Sequence, residues 1–253
     1  MRGEERDVQN GMCAGTIRIT GAGGDEIEAY SAYPDSEGSR GGIVLIHHMP
    51  GYDRWSKEVV RRFAEDGYNV LMPNLHYREA PGADPDDAAA ANRAAGGVPD
   101  DRLVGDVGAA VEYLRGLASS NGKVAVIGHC SGGRQSVLAA CNLDLQGAVD
   151  NYGAFVVEDT EPGFPVRMAN LKEQLPNLSC PLLGIFGNDD GHPSPAHVDE
   201  LDQILTELGK EHEFHRYDGA GHGFFATDRP AYRQEQAEDA YGHIAAFFAR
   251  TIG

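Results

Sequence analysis

The run Gly128-His129-Cys130-Ser131-Gly132-Gly133 places a thiol between glycines two residues before and two after it, where the apolar stretch KVAVIG gives way to a helical pattern. A nucleophile on such a strand-to-helix elbow sits in a strained turn, and the flanking glycines let strand and helix approach closely. The frame decides which side chain it is. Ser131 would need a glycine at position 129, which is His129, so Cys130 fits and Ser131 does not. The start of the following helix adds partial positive charge and free N–H groups, which favour a thiolate and later an oxyanion.

A nucleophile on an elbow needs a base and an acid, in the chain order nucleophile, acid, His. Asp189 and Asp190 follow the apolar run PLLGIFG, and His222 lies in the glycine-flanked segment AGHGFF after a later strand pattern. Asp190 is favoured over Asp189 because the third position after Gly187 is the usual place for the acid in this loop type. The segment IHHMPGYDRW supplies the second backbone donor of an oxyanion hole, so the expected pair is Met49 N–H and Ser131 N–H. His47 and His48 project to opposite sides of a continuing strand and make poor joint metal ligands. His129, His192, His197, His212, His215 and His243 have no comparable setting and read as surface or packing residues.

The elements that must hold these groups follow from the apolar pattern. Short runs rich in β-branched residues occur at 42–47, 69–73, 123–128, 145–152 and 181–187, with helical patterns at 57–66, 101–117, 133–141, 195–208 and 230–250. Continuous apolar runs mark strands covered on both faces, and strand-helix alternation predicts a mostly parallel α/β sheet with helices on both sides. Segments 15–20 and 27–32 flank the turn GAGGDE and predict an antiparallel hairpin at one sheet edge. No linker or repeat divides the chain, so one domain over 1–253 is expected. Two long excursions, 79–99 and 159–176, read either as functional loops or caps or as solvated surface.

Composition narrows the partners. The 253 residues carry 39 Asp+Glu against 21 Lys+Arg, a formal net charge of −18. That field opposes a nucleic-acid backbone or an anionic membrane. The charged N-terminus, with Arg2, Glu4, Glu5, Arg6 and Asp7, is not followed by the apolar core of an export leader. Cys13, Cys130, Cys141 and Cys180 fall into no zinc or redox spacing, so reduced thiols in a cytoplasmic protein are expected. Neither cofactor nor metal is called for, and the oligomeric state, monomer or homodimer, stays open.

With GHCSGG, NDD, GAGHGFF and LHYREAPG in view, the sequence resembles the dienelactone hydrolase family of α/β-hydrolases from about residue 15 to residue 248. The resemblance implies an α/β-hydrolase fold and a Cys-Asp-His triad carried by Cys130, Asp190 and His222. It also implies that Arg78 grips a substrate carboxylate. Two positions depart from the family pattern. The Glu that helps to deprotonate the Cys is replaced by His48, which can act as auxiliary base or shape the pocket wall. The second carboxylate-binding Arg is replaced by Ala226, with Arg229 three residues further on. Tyr52, Trp55, Tyr77, Tyr152, Phe224 and Phe225 are expected around the pocket, where they would favour an aromatic or apolar ester.

The reaction expected is acyl transfer from a small-molecule ester or lactone through a thioester on Cys130. The rivals are a general carboxylesterase or thioesterase without lactone preference, and a catalytically silent small-molecule-binding α/β-hydrolase.

Overall fold

A computed structural model describes residues 7–9, 11–164 and 166–253. The charged residues 1–6, read above as no export leader, lie outside them. The strands are β1 (Asp7–Gln9), β2 (Met12–Thr20), β3 (Glu26–Pro34), β4 (Arg40–Ile46), β5 (Asn69–Pro73), β6 (Ser120–His129), β7 (Gly147–Asn151), β8 (Leu182–Gly187) and β9 (His212–Tyr217). They form one sheet in the order β1-β2-β3-β5-β4-β6-β7-β8-β9. The first three pair antiparallel, β3 joins β5 antiparallel, and every later pair is parallel. This is the α/β-hydrolase arrangement, with the expected hairpin near one edge.

Alternation along the central strands explains why helices cover both faces. In β4, Val44 and Ile46 join one core cluster while Ile43 and Leu45 join the other, all essentially without solvent contact. The first cluster meets α3 (Asp100–Arg115), α4 (Ser131–Asn142) and α5 (Pro195–Glu207) through Leu103, Val107, Leu138 and Leu201. The second meets α1 (Arg54–Glu65) and α6 (Gln234–Thr251) through Val60, Phe63, Ile244 and Phe248. Each such side chain, removed from water, contributes about 1.5–3 kcal/mol before entropy is counted. No helix among the described residues is long and apolar enough to cross a membrane.

One element departs from the sequence reading. The biased stretch 79–99 contains a helix, α2 (Pro85–Ala94), with proline in its first turn and Asp86 and Asp87 near its N-terminus. The alanine run carries the highest intrinsic helix propensity and a proline suits its first turn, signals of composition that a search for apolar runs does not weigh. The other excursion, 159–176, is mostly irregular but tied to itself. Thr160 N–H donates to Met168 O (3.0 Å), Met168 N–H donates to Thr160 Oγ1 (3.1 Å), and Asp159 accepts from Asn170 N–H (2.7 Å).

Candidate active site

The elbow between β6 and α4 is as tight as its glycines require. A Cβ on Gly128 would lie 1.8 Å from Gly132 O, and one on Gly132 would lie 2.2 Å from Ile46 O. No side chain fits at either position. Between them Cys130 takes φ 56°, ψ −123°, a conformation that costs about 1–3 kcal/mol for a residue with a Cβ and is held by the surrounding packing. Cys130 N–H donates to Asn151 O (3.0 Å) and Cys130 O accepts from Gly133 N–H (2.9 Å), which fixes the turn from both sides.

Three groups converge on this thiol. Burial pushes the thiol's pKa up, but a hydrogen bond and the charge of His222, with the amides of Ser131 and Met49, outweigh it and leave the pKa below the free-cysteine range. The two amides that reach the sulfur are the pair expected to form the oxyanion hole. His222 Nδ1 lies 2.9 Å from Asp190 Oδ2, and Asp190 Oδ1 accepts from His192 N–H at 2.9 Å. Burial lowers the His222 pKa, yet Asp190 and Cys130 together raise it to about 10. Asp189, by contrast, packs by its backbone, its N–H donating to Ala220 O (2.9 Å), and its side chain takes no part in the cluster. The Tyr152 ring meets the His222 ring edge-on at 5.2 Å.

A cleft of about 270 Å³ opens beside the sulfur, walled by Met49, Ala154, Phe155, Phe164, Met168 and His192. These are mostly apolar, and no Lys or Arg occurs among the described residues that line it. None of Phe155, Phe164, Met168 or His192 was singled out for the site from sequence. The signal for two of them was the excursion 159–176, whose tip carries Phe164 and Met168. Arg134 anchors that segment: fully buried on α4, it holds Asp100 by two bonds of 3.0 Å and donates to Ala169 O at 2.7 Å.

Several expected pocket residues lie elsewhere. Arg78 is turned away from the cleft, holding Asp106 at 2.8 and 3.0 Å and Asp25 at 2.8 Å. The reason is electrostatic: Asp106 is fully buried on α3 and needs a cation, whereas the cleft offers Arg78 nothing to pair with. Arg78→Ala is therefore expected to lower stability by about 3 kcal/mol by stranding Asp106. The ratio of KM values for carboxylate-bearing and neutral esters should not move. Urea unfolding and paired KM measurements check this, and a selective rise for carboxylate substrates would restore the binding role.

His48 is buried with Nε2 2.6 Å from Asp53 Oδ2 and its ring 5.0 Å from that of Trp55. Burial of Asp53 opposes its charge, but its bonds to His48 and Ser56 prevail and hold its pKa at about 2. An ionised Asp53 makes His48 Nε2 a donor. The same carboxylate caps α1, accepting from Ser56 N–H at 2.8 Å. His48 is thus fixed to the start of α1 and is not among the groups that reach Cys130; it lines a small neighbouring cavity behind Met49 and Ser131. Tyr52 packs under Lys57, Trp55 borders a separate surface groove with His129 and Phe225, and Phe224 is wholly inside the core. Tyr77 bonds Arg18 at 2.7 Å. Large aromatic side chains near a site in sequence are drawn into the core by their area.

The Cys-His-Asp convergence on a glycine-tight elbow is accompanied by a family match that spans almost the whole chain. The dienelactone hydrolase family profile matches residues 27–252. The chain belongs to the dienelactone hydrolase family. It is 31% identical over 249 residues to a "Putative carboxymethylenebutenolidase" of Methylorubrum extorquens, covering 94% of this chain and 81% of that protein. It is 30% identical over 199 residues to the carboxymethylenebutenolidase of Pseudomonas putida, covering 75% of this chain and 77% of the relative. Among solved structures, a "Putative Dienelactone Hydrolase" from Klebsiella pneumoniae superposes with a TM-score of 0.83 at 25% identity, covering 95% of this chain and 99% of that one.

Proposed function

We propose that this chain hydrolyses a neutral, apolar ester or lactone through a thioester on Cys130. The observation that carries the reading is the Cys130 sulfur in hydrogen-bond contact with His222 and with the Ser131 and Met49 amides. In the resting enzyme, thiolate and imidazolium form an ion pair. The thiolate attacks the carbonyl carbon, the C=O pair moves to oxygen, and the two amides hold the oxyanion. Collapse expels the leaving alkoxide or enolate, which takes the His222 proton and leaves a thioester. Acylation removes the sulfur's negative charge, one of the causes that raise the His222 pKa. Neutral His222 then takes a proton from water as the hydroxyl adds to the thioester. Collapse breaks the C–S bond, expelling the Cys130 thiolate and the acid, and the proton kept on His222 restores the resting ion pair, with Asp190 holding the tautomer throughout.

The apolar walls and the diversion of Arg78 to Asp106 favour substrates without a carboxylate, and the charge of −18 adds a field that opposes anions. A panel of p-nitrophenyl esters, enol esters and lactones, with and without a carboxylate, tests the reading. Turnover of none of them by purified protein would sink it; higher kcat/KM for the neutral members is expected.

The thiol itself gives a second measurement. Below the His222 pKa of about 10 and above the lowered Cys130 pKa, the ion pair persists. Iodoacetamide should therefore alkylate Cys130 at a rate that stays flat as pH falls through the free-thiol range of about 8.5. Cys141 and Cys180, pushed up by burial to about 11 and about 12, should stay unlabelled at neutral pH. Mass-spectrometric mapping against pH reads this out, and a Cys130 midpoint at or above the free-thiol value would contradict the ion pair.

A further inference from the structure

Beside the cleft, three side chains from separate segments meet on one carboxylate oxygen. Glu158 Oε1 lies 3.2 Å from His192 Nδ1 and 3.1 Å from His197 Nδ1, and a donor atom from each of the three lies within 4.8 Å of the others. Glu158 follows β7, His192 follows β8, and His197 is in the first turn of α5. Among the described residues, the ion pairs of Glu158 are with these two imidazoles alone.

Two observations say more than a pair of hydrogen bonds. First, His197 Nδ1 also lies 3.3 Å from the Ser194 N–H, the reciprocal half of the box that caps α5. A nitrogen that accepts from an amide has no proton for Glu158, so two acceptors then face each other at 3.1 Å. A cation between them relieves that, and the 3.3 Å cap bond given up is longer than a typical N–H hydrogen bond. Second, the spacings fit: tetrahedral ligands about 2.0–2.1 Å from zinc stand about 3.3 Å apart, close to both distances found here. Two imidazoles and a carboxylate are also the donor set that borderline-soft dications take with a position left for water.

We infer that Glu158, His192 and His197 form a binding site for a divalent transition metal, of the zinc class, on the rim of the cleft. The ion ties the segment after β7 to the segment after β8. His192 carries the effect inward, because its ring stacks on Phe155 (5.8 Å between centroids) and its N–H holds Asp190 Oδ1. Both are parts of the cleft, so the metal stiffens one wall and the acid that orients His222. The other cluster of this composition, Glu213, His215 and His243, is less suited: Arg250 holds Glu213 at 2.9 Å and repels a dication.

The site is tested without reference to hydrolysis, in Cys130→Ala protein so that the thiol supplies no ligand. Calorimetric titration with Zn²⁺ should show a tight site, and Co²⁺ should give visible ligand-field bands without thiolate charge transfer. Adding His197→Ala or Glu158→Gln should weaken Zn²⁺ binding by more than about 100-fold, beyond the loss of an outer-shell partner. Adding His215→Ala should leave it unchanged. Glu158→Gln is near-isosteric and preserves the α5 cap, so it decides the matter if His197→Ala compromises folding. Absence of binding, equal binding in Glu158→Gln, or loss in His215→Ala would each overturn the assignment.

Discussion

Cys130→Ala is expected to lower kcat/KM for the best ester by roughly 10⁵-fold or more, with the fold intact, because removing a triad nucleophile forfeits nearly all of the triad's contribution at once. The elbow gives the variant a clean interpretation. Alanine keeps the Cβ at φ 56°, so the turn is neither relaxed nor strained further, and the backbone bonds of residue 130 to Asn151 and Gly133 do not involve the thiol. Only Sγ leaves, and with it the charge that helps to keep His222 protonated. Circular dichroism and thermal melts should match wild type while turnover disappears. A variant retaining more than about a hundredth of wild-type activity would point to another nucleophile, most directly the adjacent Ser131.

Asp190→Asn is expected to cost about 10⁴-fold in kcat, whereas Asp189→Asn should cost little. The separation rests on geometry. His222 Nδ1 meets Asp190 Oδ2 at 2.9 Å, and the second Asp190 oxygen is occupied by His192 N–H. With its second oxygen engaged there, an asparagine amide turns its NH₂ toward Nδ1 and selects the wrong tautomer. The pH dependence carries a sign as well. Loss of the carboxylate removes one of the two groups that raise the His222 pKa, so the alkaline limit of the thiolate-imidazolium pair should move to lower pH. Equal losses in both variants, or a fall below about tenfold in Asp190→Asn, would remove Asp190 from the triad.

How far the site was legible depends on what positions each residue. Cys130 could be identified because glycines at 128 and 132 are demanded by backbone contacts of 1.8 and 2.2 Å, and such contacts leave a mark at fixed spacing. Asp190 and His222 follow from chain order on parallel strands, since β8 and β9 both deliver their C-terminal loops to the same sheet end as β6. Arg78 shows the opposite case. The resemblance implied a carboxylate ligand at this position, but a buried acid 28 residues away claimed the side chain, and nothing local announces Asp106. The aromatic residues were misassigned for a similar reason. Phe224 and Tyr52 went to the core, and the cleft took Phe155 and Phe164 from loops whose paths depend on remote anchors such as Arg134 with Ala169.

The amino-acid sequence by itself determined the strand-helix alternation, the two-sided burial of the central strands, the elbow and the chain order in which Cys130, Asp190 and His222 are brought together. Those features rest on local spacing: periodicity 2 against 3.6, glycine where no Cβ fits, and acid and base just past strand ends. Only the tertiary structure decided the chemistry of the cleft. It gave Arg78 to Asp106 and His48 to Asp53, lined the opening with Phe155, Phe164 and Met168, and gathered Glu158, His192 and His197 at its rim. Each of those outcomes is a competition among partners distant in the chain, won by whichever pairing best compensates a buried charge or removes apolar area from water, and neighbouring residues carry no record of it.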